Sequence, residues 1–294
     1  MATNNLIIEE KQVTLGNFTI GRLLPFRKKR QVGPFTFIDH MGPTQLGNGK
    51  YIDVDQHPHT GLSTLTYLFE GEIEHKDSSG GNAVITPGDV GFMTSGKGVT
   101  HTERTPERLR NGNSFKQHGY QIWIALPPEK ESMEPNFLFV SKNDIPSWTE
   151  NEVNFKLIVG EAFGKESPLK GYSPLFMLDI KTKKRTTLNL KDKIKGEVGL
   201  IVVKGNVLID NNEFGQGKLI ISNSEENCSL CLDDNTQILL FGGEPLSKEP
   251  RLMWNFVGYS KETLMNAKLK WQNKEFPQVE GDNTYIPFPE PKKS

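Results

Sequence analysis

Along most of the chain, short runs of Val, Ile, Leu, Phe, Tyr and Thr alternate with Gly, Asn, Pro and Asp. That spacing predicts an all-β sandwich or barrel. "LSTLTYLFEGEIEH" (62–75) predicts strand, tight turn at Glu70-Gly71, strand. "AVITPGDVGFMTSGKGVTHTE" (83–103) predicts two further strands, with turns at Pro87-Gly88-Asp89 and Gly96-Lys97-Gly98. "GYQIWIALP" closes this half and Pro127-Pro128 ends it. Residues 128 to about 170, with scattered Pro, Glu and Ser, read as irregular and are the expected junction between domains.

The second half repeats the grammar of the first. "VGLIVVKGNVLID" (198–210) mirrors "STLTYLFEGEIEH" (63–75), with Lys204-Gly205 in the place of Glu70-Gly71. "FGQGKLIIS" mirrors "ITPGDVGFM", and "CSLCLDDNTQILLFGG" mirrors the strands that follow. A duplicated β-barrel accounts for this order, in domains expected at 1–135 and 136–294. One helix is predicted in the second domain: "SKETLMNAKLKW" opens on Ser260 as N-cap with Glu262 in the first turn. Leu264, Ala267 or Lys268, and Trp271 then recur at helical spacing, as a packing face would.

Charge and cysteine usage narrow the class. A formal net charge of -1 offers no electrostatic case for nucleic acid or an anionic membrane. Only two cysteines occur, Cys228 and Cys231, too few for a disulfide framework. "MATNNLIIEEKQV" shows no secretory signal, and no stretch has the apolar length of a membrane span. The expectation is a cytoplasmic globular protein, with a nuclear location open in a eukaryote because "RKKR" (27–30) and "KTKKR" (181–185) have the composition of localisation signals. As solvated loop charges, both runs need no function.

The candidate chemistry sits in two short motifs. Residues two apart in a strand share a face, with Cα atoms about 6.5 Å apart. His57 and His59 are such a pair, and His101 and Glu103 in "VTHTE" are a second. Two neighbouring strands could therefore aim three imidazoles and one carboxylate at one divalent cation. No cysteine is near, which argues against a structural zinc or iron–sulfur site. Fe(II) suits the set best, with Mn, Ni, Cu and Zn as alternatives. All six histidines lie between His40 and His118. Carrying the motifs across the repeat lands near Lys191 and Lys193, and near Leu230 and Leu232, so the second domain is expected to be metal-free. His40, His75 and His118 lack ligand partners at useful spacing and read as partly buried histidines, with room for one to sit hydrogen-bonded behind a ligand. Tyr67 and Phe69 read as core in preference to a substrate platform. Cys228 and Cys231, three apart in a strand, face opposite sides and cannot chelate together.

Four motifs then mark a family. "GPFTFIDHMGP" (33–43), "HPHTGLSTLTYLFEGEIEHKDS" (57–78), "PGDVGFMTSGKGVTHTERTPE" (87–107) and "WIALP" (123–127) together resemble the pirins, of the cupin superfamily. The ending "LMWNFVGYSKETLMNAKLKWQNKEFPQVEGDNTYIPFP" is similar to bacterial-type pirins. The resemblance implies two tandem, jelly-roll-like cupin barrels with one Fe(II) in the N-terminal barrel, held by His57, His59, His101 and Glu103. It also implies a quercetin 2,3-dioxygenase-type activity, in which a flavonol ring is opened by O2 and carbon monoxide leaves. On that reading Glu103, a ligand with a spare oxygen, is the expected general base for the flavonol 3-hydroxyl. The family's other described role is the alternative: an iron-dependent, redox-sensing binding protein that modulates a transcription factor or metabolic enzyme. A zinc-type cupin isomerase is a third class with the same donors. The family favours a monomer. "VTHTE" has Thr where Ser is common, and "DVDQ" replaces a more apolar run before His57, which bears on substrate preference.

Overall fold

The computed structural model describes residues 5–15, 18–210, 212–222 and 229–290. The chain is built almost wholly of strands and closes with one short helix. It forms two compact units. One comprises Val13–Ile20, His40–Phe139 and the described residues from Ser247 onward; it holds all six histidines. The other comprises the described residues up to Gln12, Gly21–Asp39 and Val140–Leu246. The expected cut at 135/136 therefore does not describe the units. The first strand, Leu6–Glu9, pairs with Lys218–Ile221 in the second unit, and the C-terminal tail belongs with the histidines.

In the histidine unit a four-stranded sheet runs in the order Asp53–His59, Val99–Arg104, Ile73–Asp77, Asn82–Ile85. A seven-stranded sheet has Leu62–Glu70 between Val90–Thr94 and Phe115–Ala125. Met41, Leu68, Ile73 and Ile85 share one buried core. The turn at Glu70-Gly71, with Gly71 at φ +81°, does not make a hairpin: Leu62–Glu70 and Ile73–Asp77 belong to different sheets. The turns at Pro87-Gly88-Asp89 and Gly96-Lys97-Gly98 likewise carry the chain from sheet to sheet. Repeated crossing is what turns a row of short strands into a jelly roll. It also resolves 83–103 into three strands, one more than expected: Asn82–Ile85, Val90–Thr94 and Val99–Arg104.

The second unit repeats the plan. Its four-stranded sheet runs Thr186–Asn189, Ser229–Leu232, Asn206–Ile209, Asn212–Gly215, the same order as in the first. Its large sheet includes Val153–Ala162 and Ser147–Glu150, so 128–170 is not irregular as expected, although a boundary between the units, at Phe139/Val140, falls within it. Val153, Phe155 and Leu157 alternate inward and join the unit's apolar core, while the polar residues between them mask the strand.

The predicted helix spans Lys261–Gln272, and the Ser260 hydroxyl accepts from the Thr263 amide at 3.0 Å. Leu264, Ala267 and Trp271 are its buried face, which decides for Ala267 over Lys268. They pack with Phe256 and Phe276 in the histidine unit, not in the second domain as expected. Among the described residues no helix is long and apolar enough to cross a membrane.

Candidate metal centre

Strand Asp53–His59 pairs antiparallel with Val99–Arg104, placing His101 opposite His57 and Val99 opposite His59. The register shifts between His101 and Glu103. Such an irregularity re-aims the side chains beyond it. On its other edge Val99–Arg104 pairs with Ile73–Asp77, so that His101 faces Asp77 and Glu103 faces His75.

This pairing gathers three imidazoles. Ring centroids lie 4.3 Å apart for His57 and His101, 5.0 Å for His59 and His101, and 5.1 Å for His57 and His59. One ring nitrogen from each of the three falls within 4.8 Å of the others, a set able to hold a metal ion. Glu103 does not complete that group; its carboxylate falls within the same limit of His101 and His75. Of the four residues picked out by spacing, the fold therefore gathers the histidines around one point and sets Glu103 at the flank of His101.

The donor set fits a cation. His57 Nδ1 donates to the Asp55 carbonyl at 2.8 Å and His59 Nδ1 to the Asn255 carbonyl at 3.2 Å, which leaves each Nε2 with its lone pair. His101 Nε2 is buried with no hydrogen-bond partner. A buried orphan of this kind requires a reason, and a metal supplies one. Burial lowers the His57 pKa to about 4 and those of His59 and His101 well below the usual value, with neighbouring imidazoles adding to the shift in the latter two. All three are then neutral at pH 7, the form a metal needs. Burial raises the Glu103 pKa, against the pull of His75, Gln121 and Thr66. Gln121 Nε2 donates to Glu103 Oε1 at 3.0 Å, and the Thr66 hydroxyl lies 3.5 Å from the same oxygen.

His75 is the residue that spacing undervalued. Its Nε2 meets Asp77 Oδ2 at 2.8 Å and its Nδ1 meets His101 Nδ1 at 3.4 Å. Its ring stacks on Phe137, centroids 4.3 Å apart. "HKD" (75–77) has the same two-residue parity as "HTE", and that was the available signal. His40 and His118 form a separate pair, Nε2 to Nε2 at 3.0 Å, with Tyr120 stacked on His40. Burial and the neighbouring His40 lower the His118 pKa to about 4. Tyr67 is buried and packs edge-on to Phe69. It lies on the strand face opposite Thr66, whose hydroxyl is on the Glu103 side, so it is core. Cys231 is a half-buried thiol outside the donor groups of the described residues; Cys228 lies outside the described residues. In the basic runs, Lys29 pairs with Glu197 and Lys184 with Glu152.

The second unit shows what the same sheet looks like without donors. Where His57 faces His101, Leu188 faces Leu230. Leu190 follows Leu188 at the spacing of His59 after His57, and Leu232 follows Leu230 as Glu103 follows His101. All four leucines are buried in one apolar core. Strand pairing thus moves the expected equivalents from Lys191 and Lys193 to Leu188 and Leu190, and keeps Leu230 and Leu232.

Comparison with known proteins agrees with this duplication. Residues 17–124 match the family described as pirin, and residues 177–277 match the pirin C-terminal cupin domain. A pirin-like protein of Caulobacter vibrioides is 39% identical over 291 residues, covering 97% of this chain and 99% of that one. The chain belongs to the pirin family. Among solved structures, this pirin is similar to a quercetin 2,3-dioxygenase from Acinetobacter baumannii, with a TM-score of 0.87, 30% identity, and coverage of 99% of this chain and 96% of that one. It also shares its fold with a bacterial pirin from Escherichia coli solved in complex with nickel(II), with a TM-score of 0.62, 21% identity, and coverage of 82% and 100%.

Proposed function

We propose that this pirin is a mononuclear Fe(II) dioxygenase of the quercetin 2,3-dioxygenase type, with His57, His59, His101 and Glu103 as metal ligands. The observation that carries the reading is the unpartnered, buried Nε2 of His101 amid two further neutral imidazoles. Likeness over nearly the whole chain to the Acinetobacter baumannii enzyme supports the substrate class, a flavonol with O2. Bound at this set, iron would supply Lewis acidity toward the flavonol 3-hydroxyl and a place for O2 to react.

The chain's own groups do the rest. His57, His59 and His101 present lone pairs in a dry setting, oriented by the carbonyls of Asp55 and Asn255 and by His75. Gln121 Nε2 donates to Glu103 Oε1 while the Thr66 hydroxyl gives its one proton to Gln121 Oε1 at 2.7 Å, which leaves Glu103 Oε2 for the cation or for the proton of the 3-hydroxyl. Its place beside His101 suits that carboxylate to take the proton of the 3-hydroxyl as general base.

The test is iron-loaded protein incubated with quercetin in air, following loss of the flavonol absorbance together with carbon monoxide release. Turnover is expected. Activity no greater than that of a His57→Ala/His101→Ala control overturns the proposal.

A further inference from the structure

We propose that Asp77 and His75 act as a relay of fixed hydrogen bonds that holds His101 in the one tautomer able to ligate a metal through Nε2, which makes both of them positioning residues. The inference rests on the metal site proposed above. It follows from the polarity of each contact in turn. Asp77 Oδ1 accepts from the Ser79 amide at 2.7 Å, the Ser79 hydroxyl at 2.6 Å and the Gly81 amide at 3.1 Å. Asp77 Oδ2 meets His75 Nε2 at 2.8 Å, with both side chains buried. A carboxylate has no proton to give, so the hydrogen lies on His75 Nε2.

A His101 that ligates through Nε2 carries its hydrogen on Nδ1, so the atom it faces at 3.4 Å, His75 Nδ1, must be the acceptor, and the one His75 N–H is the Nε2–H that Asp77 accepts. His101 Nε2 is then left with its lone pair, and this is the buried atom for which the protein offers no partner. A chain of three fixed contacts runs from a surface turn to the metal position. Stacking on Phe137, with ring planes 8° apart, keeps the His75 ring in the plane that serves both contacts. Oriented carboxylate–histidine–metal arrangements raise ligand basicity as well as fixing the ring. Here a second imidazole extends the arrangement by one link.

The logic singles out Asp77→Asn. The three donors from Ser79 and Gly81 pin the amide oxygen in the Oδ1 position, so the amide NH2 faces His75 Nε2. His75 then carries its proton on Nδ1, donor meets donor at His101, and the His101 tautomer is no longer held. The expected result is a loss of about 10–100-fold in affinity for Co(II), whose visible bands also report its ligands, in competition with a chelator. His75→Asn places an amide oxygen near the Nδ1 position and accepts from His101 whatever stands at 77. The His75→Asn/Asp77→Asn double variant should therefore return to within about threefold of wild type, since the acceptor that matters to the ligand is restored. A purely structural role for Asp77 in its turn would leave the double variant as weak as the single one. That result overturns the relay. So does an Asp77→Asn affinity within twofold of wild type, and so does a His75→Asn variant as weak as His101→Ala, which would make His75 a ligand itself. A wild-type chain that holds no divalent ion overturns the metal reading and the relay with it, whereas binding by wild type with no effect at 77 overturns the relay alone.

Discussion

His101 and His57 face each other across an antiparallel strand pair, ring centroids 4.3 Å apart, and in the second unit Leu230 and Leu188 take the same two places. The same sheet order carries either a polar donor cluster or a sealed apolar core. Which one forms is decided by four side chains, not by the backbone.

Removing His101 should therefore abolish metal retention. Loss of an outer hydrogen-bond partner typically costs about 10–100-fold in affinity, and loss of a ligand should exceed the upper end of that range. His101→Ala is expected to contain less than a tenth of an equivalent of metal after dialysis, measured by elemental analysis. Cys231→Ser, in a strand of the second unit, should keep the full equivalent. Metal lost from the cysteine variant and kept by the histidine variant would reverse the assignment.

Metal-free protein should lose stability as pH falls from about 6.5 to about 4. The folded-state pKa of His57 lies at about 4, below its ordinary value, so across this interval the unfolded chain binds a proton that the folded chain does not. Stability from this group is complete above the unfolded pKa and is lost on acidification, by about 3 kcal/mol in all. His59 and His101 shift in the same direction and act with the same sign. Glu103, with a raised pKa, acts in the opposite sense and offsets part of the loss. Denaturant unfolding of metal-free wild type and His57→Leu at pH 7 and pH 4.5 isolates the term. The stability difference between the two proteins should shift toward the variant at the lower pH; a constant difference refutes it.

Much of this site was legible in the sequence because strand parity is local. "HPH" and "HTE" each place two donors on one face whatever the rest of the fold does, and "HKD" would have yielded to the same reading. What was not legible depended on distance along the chain. Counting across turns carried His57 and His59 to Lys191 and Lys193, because connections differ in length between the halves; only strand pairing brings the register to Leu188 and Leu190. The segment 128–170 hid its strands behind exposed polar alternates such as Asn154 and Glu161. Nothing near Asn255 announces that its carbonyl orients His59, 196 residues away.

The apolar quartet predicts a clean separation of stability from metal content. Leu230 is 5% exposed and belongs to the second unit's core. Leu230→Ala should cost about 2–4 kcal/mol, the usual range for truncating a buried leucine. Metal content should stay at one equivalent, because the donors all lie in the other unit. Urea unfolding and elemental analysis on the same preparation check both halves of the statement, and a metal loss in step with stability would contradict it.

The last prediction concerns the tail behind the His57 strand. Gln56 lies on the strand face opposite His57 and is fully buried. Its Oε1 accepts from the Val279 amide at 2.6 Å, and its Nε2 donates to the carbonyls of Thr284 at 3.0 Å and Asp282 at 3.4 Å. Its own backbone bonds the Thr284 hydroxyl and the Ile286 amide, and Arg104 bonds Asp282 and Thr284. A strand with His57 and His59 on one face thus has the C-terminal segment sewn to its other face. Gln56→Ala removes three hydrogen bonds at once and leaves a buried amide and two carbonyls to find water. The expected cost is about 2–4 kcal/mol, since each stranded group carries about 1–3 kcal/mol and relaxation recovers part of it. Because the tail loses its anchor while its helix keeps the apolar face of Leu264, Ala267 and Trp271, loosening should concentrate beyond Lys274. Trypsin should then cut after Lys274 faster in Gln56→Ala than in wild type under native conditions, read by mass spectrometry. Equal cleavage rates, with stability lowered only globally, would show that the tail is held by Trp271 and Tyr285 and not by Gln56.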